Sequence, residues 1–231
     1  MNRVGNILNN IYDRIMVILF IILLLFSTYT LYDTYRVRYI SSGGSYKVYK
    51  PNIEKPEAYK EISDECIGWI TLNNSDIDYP IMQAKDNVKY LNTNPYGEYA
   101  LSGSIFLDWQ NKSDFSDKYN LLYGHKMSGN LMFGALSNWE NKDYYDTHLD
   151  GTLTVNNTVY NIKVFAFVIT DAKEKVFFDP TNHTNQYDLI KQNHKYFSEI
   201  PEESTIIALS TCRDPGTTDR TILFTYITKG E

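Results

Sequence analysis

Cysteine is nearly absent. The 231-residue chain holds two, Cys66 and Cys212, 146 positions apart. That spacing excludes the C-x-x-C pairs of zinc and dithiol redox sites. A single disulfide or two free thiols remain, and two free thiols is the simpler reading. A basic block is also missing. Beyond the first 40 residues, 18 Lys/Arg stand against 26 Asp/Glu, a net of −8 in a chain whose total is −6. Such an acidic domain argues against nucleic acid as a partner. The acidic residues are scattered, so neither a metal nor another cofactor is expected. No internal repeat and no low-complexity segment breaks the chain.

What is present points to β-structure. Hydrophobic residues make up 43% and aromatics 15%, with 20 Tyr and 11 Phe. That suffices for one core in a domain of about 150–200 residues, and the aromatics favour strands over a helical bundle.

One long apolar run exists. "IMVILFIILLLFSTYTL", Ile15 to Leu31, is 17 residues without a charge, and Tyr32 extends it. This is the short end of the range for a membrane span. A cleaved signal peptide is the alternative, but no small-x-small cleavage site follows. Arg3 and Arg14 precede the run while Arg36 and Arg38 follow it, so charge alone does not orient it. "SSGGS", Ser41 to Ser45, reads as a flexible tether. The expected organisation is a tail over 1–14, a signal anchor over 15–32, a linker over 33–54 and a folded domain over 55–231.

Within the domain, "IGWITL", "IDYPIM", "GSIFLD", "YNLLYGH", "TLTV", "TVYNIKVFAFVIT", "STIIALST" and "RTILFTYIT" read as strands. Asn156-Asn157 suits a tight hairpin. Helices are expected over Lys55 to Glu65, Asp86 to Asn92, Leu131 to Trp139 and Thr184 to Ile200, the last from its apolar spacing at Tyr187, Ile190, His194 and Phe197. About eight strands with inserted helices fit a closed or nearly closed antiparallel barrel.

Nucleophilic catalysis by cysteine needs an accessible thiol, a base or acid within reach and a group for the oxyanion. Cys212 ends the strand "TIIALSTC" before a Pro-Gly turn, where it reads either as a small buried hydrophobe or as a nucleophile at a barrel rim. Cys66, beside Asp64 and Glu65, reads as structural or incidental, since those charges raise a thiol pKa. His148, His183 and His194 read as surface or packing residues. His125 follows a buried strand and a glycine, a placement suited to proton transfer or to packing. Arg213 and Arg220 are candidates for the oxyanion. Strand alternation turns Arg213 away from Cys212, whereas a hairpin returns Arg220 beside it.

"YGHKM", "ALSTC" and "DRTILF", in that order, resemble a sortase, the membrane-anchored cysteine transpeptidases of Gram-positive bacteria. The family's Thr-Leu-x-Thr-Cys stands here as Ala208-Leu209-Ser210-Thr211-Cys212, with alanine for the first threonine. "GSIFLDWQN", "NLLYGHKM", "LMFGAL" and the helix before the cysteine strand are similar to class B in particular, and the likeness runs from about Glu61 to the end. The resemblance implies an eight-stranded barrel, an uncleaved anchor with the domain outside, and Cys212 as nucleophile, His125 as acid/base and Arg220 as oxyanion and substrate arginine. By analogy Asn92, Tyr123, Ser210 and Thr211 meet the substrate, and residues Phe177 to His183 set its choice. It implies a reaction: a sorting-motif peptide of a secreted protein is cleaved through a thioester and passed to an amine of the peptidoglycan precursor, lipid II.

Three rival readings stay open on sequence. A cysteine peptidase would hydrolyse the same thioester. An L,D-transpeptidase expects a histidine-glycine-cysteine cluster that "LSTCRD" lacks. A membrane-tethered binding module would have no activity.

Overall fold

The computed structural model describes residues 3–52, 54–181, 186–212 and 218–228, with backbone alone at 3, 4 and 212. The chain divides into two units, Met1–Ile40 and Ser41–Glu231. The described residues of the first belong to one helix, α1 (Arg3–Ser41). By length and composition it can cross a membrane. The helix runs past the uncharged stretch because residues 33–40 contain neither Gly nor Pro. It stops at Ser41, and Gly43 adopts φ +71°, a left-handed turn that glycine takes without a Cβ clash.

Ser41–Ser45, expected as a loose tether, is folded onto the second unit. Ser41 and Tyr46 are buried. Tyr79 donates its hydroxyl hydrogen to the Ser41 carbonyl at 3.0 Å, and Tyr96 does the same to Ser45 at 2.8 Å.

Among the described residues, nine strands build the second unit: β1 (Cys66–Leu72), β2 (Asp78–Met82), β3 (Ile105–Leu107), β4 (Tyr119–Tyr123), β5 (Asp150–Val155), β6 (Thr158–Asp171), β7 (His194–Phe197), β8 (Ile206–Cys212) and β9 (Asp219–Thr228). Eight close a barrel in the order β5-β1-β2-β3-β4-β8-β9-β6, with β6 returning to β5. The expected closed barrel is present. Its pairing is mixed rather than antiparallel, since β2–β3 and β4–β8 run parallel. The long connections over 83–104 and 124–205 let the chain come back to the same end before pairing. The hairpin at Asn156-Asn157 is as expected, with both residues at positive φ, 48° and 64°.

Alternation sorts the core into two clusters. Ile207, Leu209, Leu223 and Leu122 face the interior, plugged by Phe133, Leu136 and Trp139 of a 3-10 helix, Phe133–Glu140. Burying one such side chain contributes about 1.5–3 kcal/mol. The opposite rows, with Leu121, Ala208, Ile222 and Phe224, form an outer cluster covered by Phe177 and by Ile190 of α3 (Gln186–Asn193). A bulge between Val164 and Ala166 resets β6, so Val164 and Phe167 both reach the interior cluster.

The helical expectations contract. Lys55 to Glu65 yields a 3-10 turn at Ala58–Glu61, and Asp86 to Asn92 one at Lys89–Leu91. Leu131 to Trp139 becomes the 3-10 plug, followed by α2 (Lys142–Thr147). Over 184–200 the helix stops at Asn193 and β7 begins, pairing with β6. Tyr196, outside the helical stripe, packs on Phe167 and Tyr145, a burial a continued helix would forfeit.

Candidate active site

Three neighbouring strands, β4, β8 and β9, bring the candidates to one end of the barrel. In the antiparallel ladder Cys212 pairs with Arg220. In the parallel ladder Tyr123 pairs with Ser210, and the Gly124 N–H continues it by donating to the Ser210 carbonyl at 3.1 Å. His125 and Cys212 each lie two residues beyond that pair. Positions 125, 212 and 220 are thus consecutive across adjacent strand ends.

A cleft of about 260 Å³ opens there. Tyr123, Gly124 and His125 form one side, Ser210 and Thr211 the floor, and Arg220 the other side, with Phe106, Asn87 and Leu91 above. Tyr123, His125, Ser210, Thr211 and Arg220 therefore gather as the sequence suggested. Asn92 does not: it is exposed just past the 3-10 turn and is not a lining residue. Thr211 is buried, and among the described residues its Oγ1 has no hydrogen-bond partner.

His125 Nε2 lies 2.7 Å from the Leu91 carbonyl. A carbonyl only accepts, so this nitrogen carries a proton. Arg220 Nη1 donates to the carbonyls of Thr218 and Asp219 at 3.4 and 3.3 Å, long bonds that use a single nitrogen.

Sequence reading missed what holds the upper wall. Asp108 is 1% exposed. Its Oδ2 accepts from Asn87 Nδ2 at 2.8 Å and from the Tyr123 hydroxyl at 3.1 Å, and its Oδ1 from the Gln110 N–H at 2.9 Å. Asn87 Oδ1 in turn accepts from the Trp109 N–H at 3.0 Å. Burial pushes the Tyr123 pKa up, the Asp108 charge and hydrogen bond add to that, and Arg220 partly opposes it. Tyr123 stays protonated and its donor stays on Asp108.

The segment presenting Asn87 and Leu91 is fixed at both ends. Asp86 Oδ1 accepts from the N–H groups of Val88 and Lys89 at 2.9 Å each. Behind it, Glu65 accepts from Lys89 Nζ and the Tyr90 hydroxyl, and these two bonds hold its carboxyl below the usual range.

The remaining candidates fall elsewhere. Cys66 is buried, and burial pushes its thiol up to about 12. The expected rise of its pKa is present, but burial causes it rather than the charges beside it. His148 stacks on Tyr144 with ring centroids 3.6 Å apart, and His194 packs on Phe197 at 5.1 Å. Phe177, expected in a substrate groove, is 2% exposed inside the outer cluster. His183 and Arg213 lie outside the described residues.

No family model matches the chain. Among curated proteins it is similar to the sortase B of Listeria monocytogenes, 34% identical over 159 residues, and to that of Staphylococcus aureus, 28% identical over 181. The first match covers 66% of this chain and 65% of the Listeria protein, just under two thirds of its length. The second covers 75% and 74%. Among solved structures, a Streptococcus pyogenes class B sortase involved in pilus biogenesis gives a TM-score of 0.68 at 38% identity, over 74% of this chain and 96% of that one. A Staphylococcus aureus sortase B–substrate complex gives 0.70 at 25% identity, over 85% and 94%. An identity of 38% sustained across nearly the whole of a solved relative, on a shared barrel, leaves one assignment: this chain belongs to the class B sortases.

Proposed function

We propose that the barrel domain is a cysteine transpeptidase acting on a short sorting motif in secreted proteins. The register carries this reading: Cys212 pairs with Arg220, and His125 stands two residues past the Tyr123–Ser210 pair at the same cleft. The relationship to a sortase B solved with its substrate supports a peptide as the ligand.

In this reaction the Cys212 thiolate attacks a backbone carbonyl carbon of the peptide. A thiol near pKa ~8.5 is a few per cent ionised at neutral pH, yet it is a strong nucleophile. Arg220 and backbone N–H groups hold the oxyanion. The carbon–nitrogen bond then breaks, His125 gives its proton to the departing amine, and a thioester to Cys212 remains. An amine of the cell-wall precursor attacks that thioester. His125 takes the amine's proton, a new amide forms and the thiolate leaves.

The anchor belongs to the same proposal. Residues 15–32 cross the membrane, 1–14 stay on the cytoplasmic side, and residues 33–54 lead to the catalytic region 55–231, which faces the cell wall where both substrates arrive.

The test is a peptide library offered to the full chain with and without an amine acceptor, with products read by mass. Transfer gives an amide of the added amine. Free acid as sole product in both arms would make the protein a peptidase.

A further inference from the structure

The β2–β3 connection carries exposed aromatic and aliphatic side chains outside the cleft. Tyr99 is 77% exposed, Leu101 71% and Tyr96 41%. They sit on a fixed loop. Thr93 pairs with Tyr99. Asn94 Oδ1 accepts from the N–H groups of Tyr96 and Glu98 at 3.0 Å each.

Beside this loop lies the segment that follows the apolar helix. The Tyr96 ring is 4.9 Å from that of Tyr46 and 6.4 Å from that of Tyr49, and its hydroxyl bonds the Ser45 carbonyl. Chain length sets the height. From Tyr32, the end of the uncharged run, to Ser41 is about 14 Å of helix. The headgroup layer takes roughly 5–8 Å of that, and tilt shortens the rise further. Tyr32, Tyr35 and Tyr39 are exposed along this stretch, with Tyr29 just before it, and tyrosine is enriched at membrane–water interfaces.

We infer that the loop carrying Tyr96, Tyr99 and Leu101 docks into the lipid interface of the bilayer that α1 crosses. The inference rests on the anchoring reading above. A lone exposed apolar residue is ordinary on a soluble surface. Here three lie within six positions, on a braced loop, against the first folded residues after the helix. Docking has a consequence for the site. The Tyr79 hydroxyl that bonds Ser41 also accepts from the Met132 N–H at 2.9 Å, and the Phe133 N–H bonds the His125 carbonyl at 3.0 Å. The barrel end that binds Ser41 is the end that carries His125, so docking holds the cleft at the bilayer surface.

The test uses the full chain in phosphatidylcholine–phosphatidylglycerol nanodiscs. Single cysteines are introduced as Tyr99→Cys, Leu101→Cys, Phe26→Cys and Glu202→Cys in a Cys212→Ser background, each labelled with an environment-sensitive fluorophore. Buried Cys66 stays unlabelled. Glu202 precedes β8 at its far end, about 20 Å from position 212. Lipids bearing a nitroxide near the headgroup are then added. Positions 99 and 101 should be quenched at least about two-fold, as insertion to the headgroup–acyl boundary requires, with position 202 little affected. Quenching at 26 but not above the 202 level at 99 and 101 overturns loop docking and leaves the anchor standing. No quenching at 26 by either this lipid or one labelled deep in the acyl chain removes the anchor and the inference together.

Discussion

Cys212 and Arg220 stand opposite each other in the antiparallel ladder of β8 and β9, the last pair of that ladder. Eight positions apart in sequence, they become cross-strand neighbours with Cα atoms about 4.5–5.5 Å apart. The parallel β4 strand completes the row with His125. A parallel neighbour ends at the same barrel rim, which is why a histidine 87 positions upstream reaches that place.

Arg220→Ala should lower kcat/KM by about 10²–10³, the range for losing one oxyanion donor. Arg220→Lys should recover part of this, keeping the charge but not the planar fork. Initial rates on a cleaved peptide measure both. A loss under about three-fold for the alanine variant would assign the oxyanion to other donors.

Asp108 touches the wall rather than the reacting atoms. Asp108→Asn should cost about 1–3 kcal/mol of stability, because the Tyr123 hydroxyl and the Asn87 amide lose a buried charged acceptor. Tyr123→Phe should cost about 1 kcal/mol. Both should raise KM for peptide more than they lower kcat. Denaturant midpoints and steady-state kinetics check the pair, and a fall in kcat at constant KM would contradict the positioning role.

The two thiols should differ sharply. Burial lifts Cys66 to about 12, so it holds almost no thiolate at neutral pH. Iodoacetamide at pH 7 should alkylate Cys212 in the native protein and reach Cys66 only after unfolding. Mass mapping that finds Cys66 modified first would reverse the assignment.

Stability should fall from about pH 9 upward. Burial raises Cys66 from 9.0 to about 12, and Tyr79 and Tyr145 from 10.0 to about 12. The folded state keeps protons that the unfolded chain releases, so their contribution is complete below pH 9 and is lost as pH climbs toward 12. Each group adds a slope of at most ~1.4 kcal/mol per pH unit. Urea midpoints from pH 8 to 11 should show the decline, less steep for Tyr79→Phe. A flat profile would contradict the burial of these groups.

The strand runs, the Asn156-Asn157 hairpin and the Cys212–Arg220 pairing were legible because period-two patterning and turn residues act locally. The mixed pairing was not, since nothing in a strand's sequence says which distant strand lies beside it. Helix was overestimated wherever apolar spacing met a surface that needed covering: Tyr196 is buried through β7, which a helix-period count cannot foresee. The site wall was misread by one turn. Asn87 and Asn92 flank the same short segment, and only the anchoring of Asp86, Glu65 and Asp108 decides that Asn87 faces the cleft. Asp108 itself reads as an ordinary strand-end acid until its three donors are seen.

The central claim is that Cys212 carries the acyl group. Intact-mass measurement of the full chain during turnover of a sorting peptide tests it most directly. The wild type should gain the mass of the acyl fragment, removable by hydroxylamine and mapped to Cys212, while Cys212→Ala gains nothing and cleaves nothing. An acyl adduct on another residue, or peptide cleavage by the alanine variant, would contradict the account.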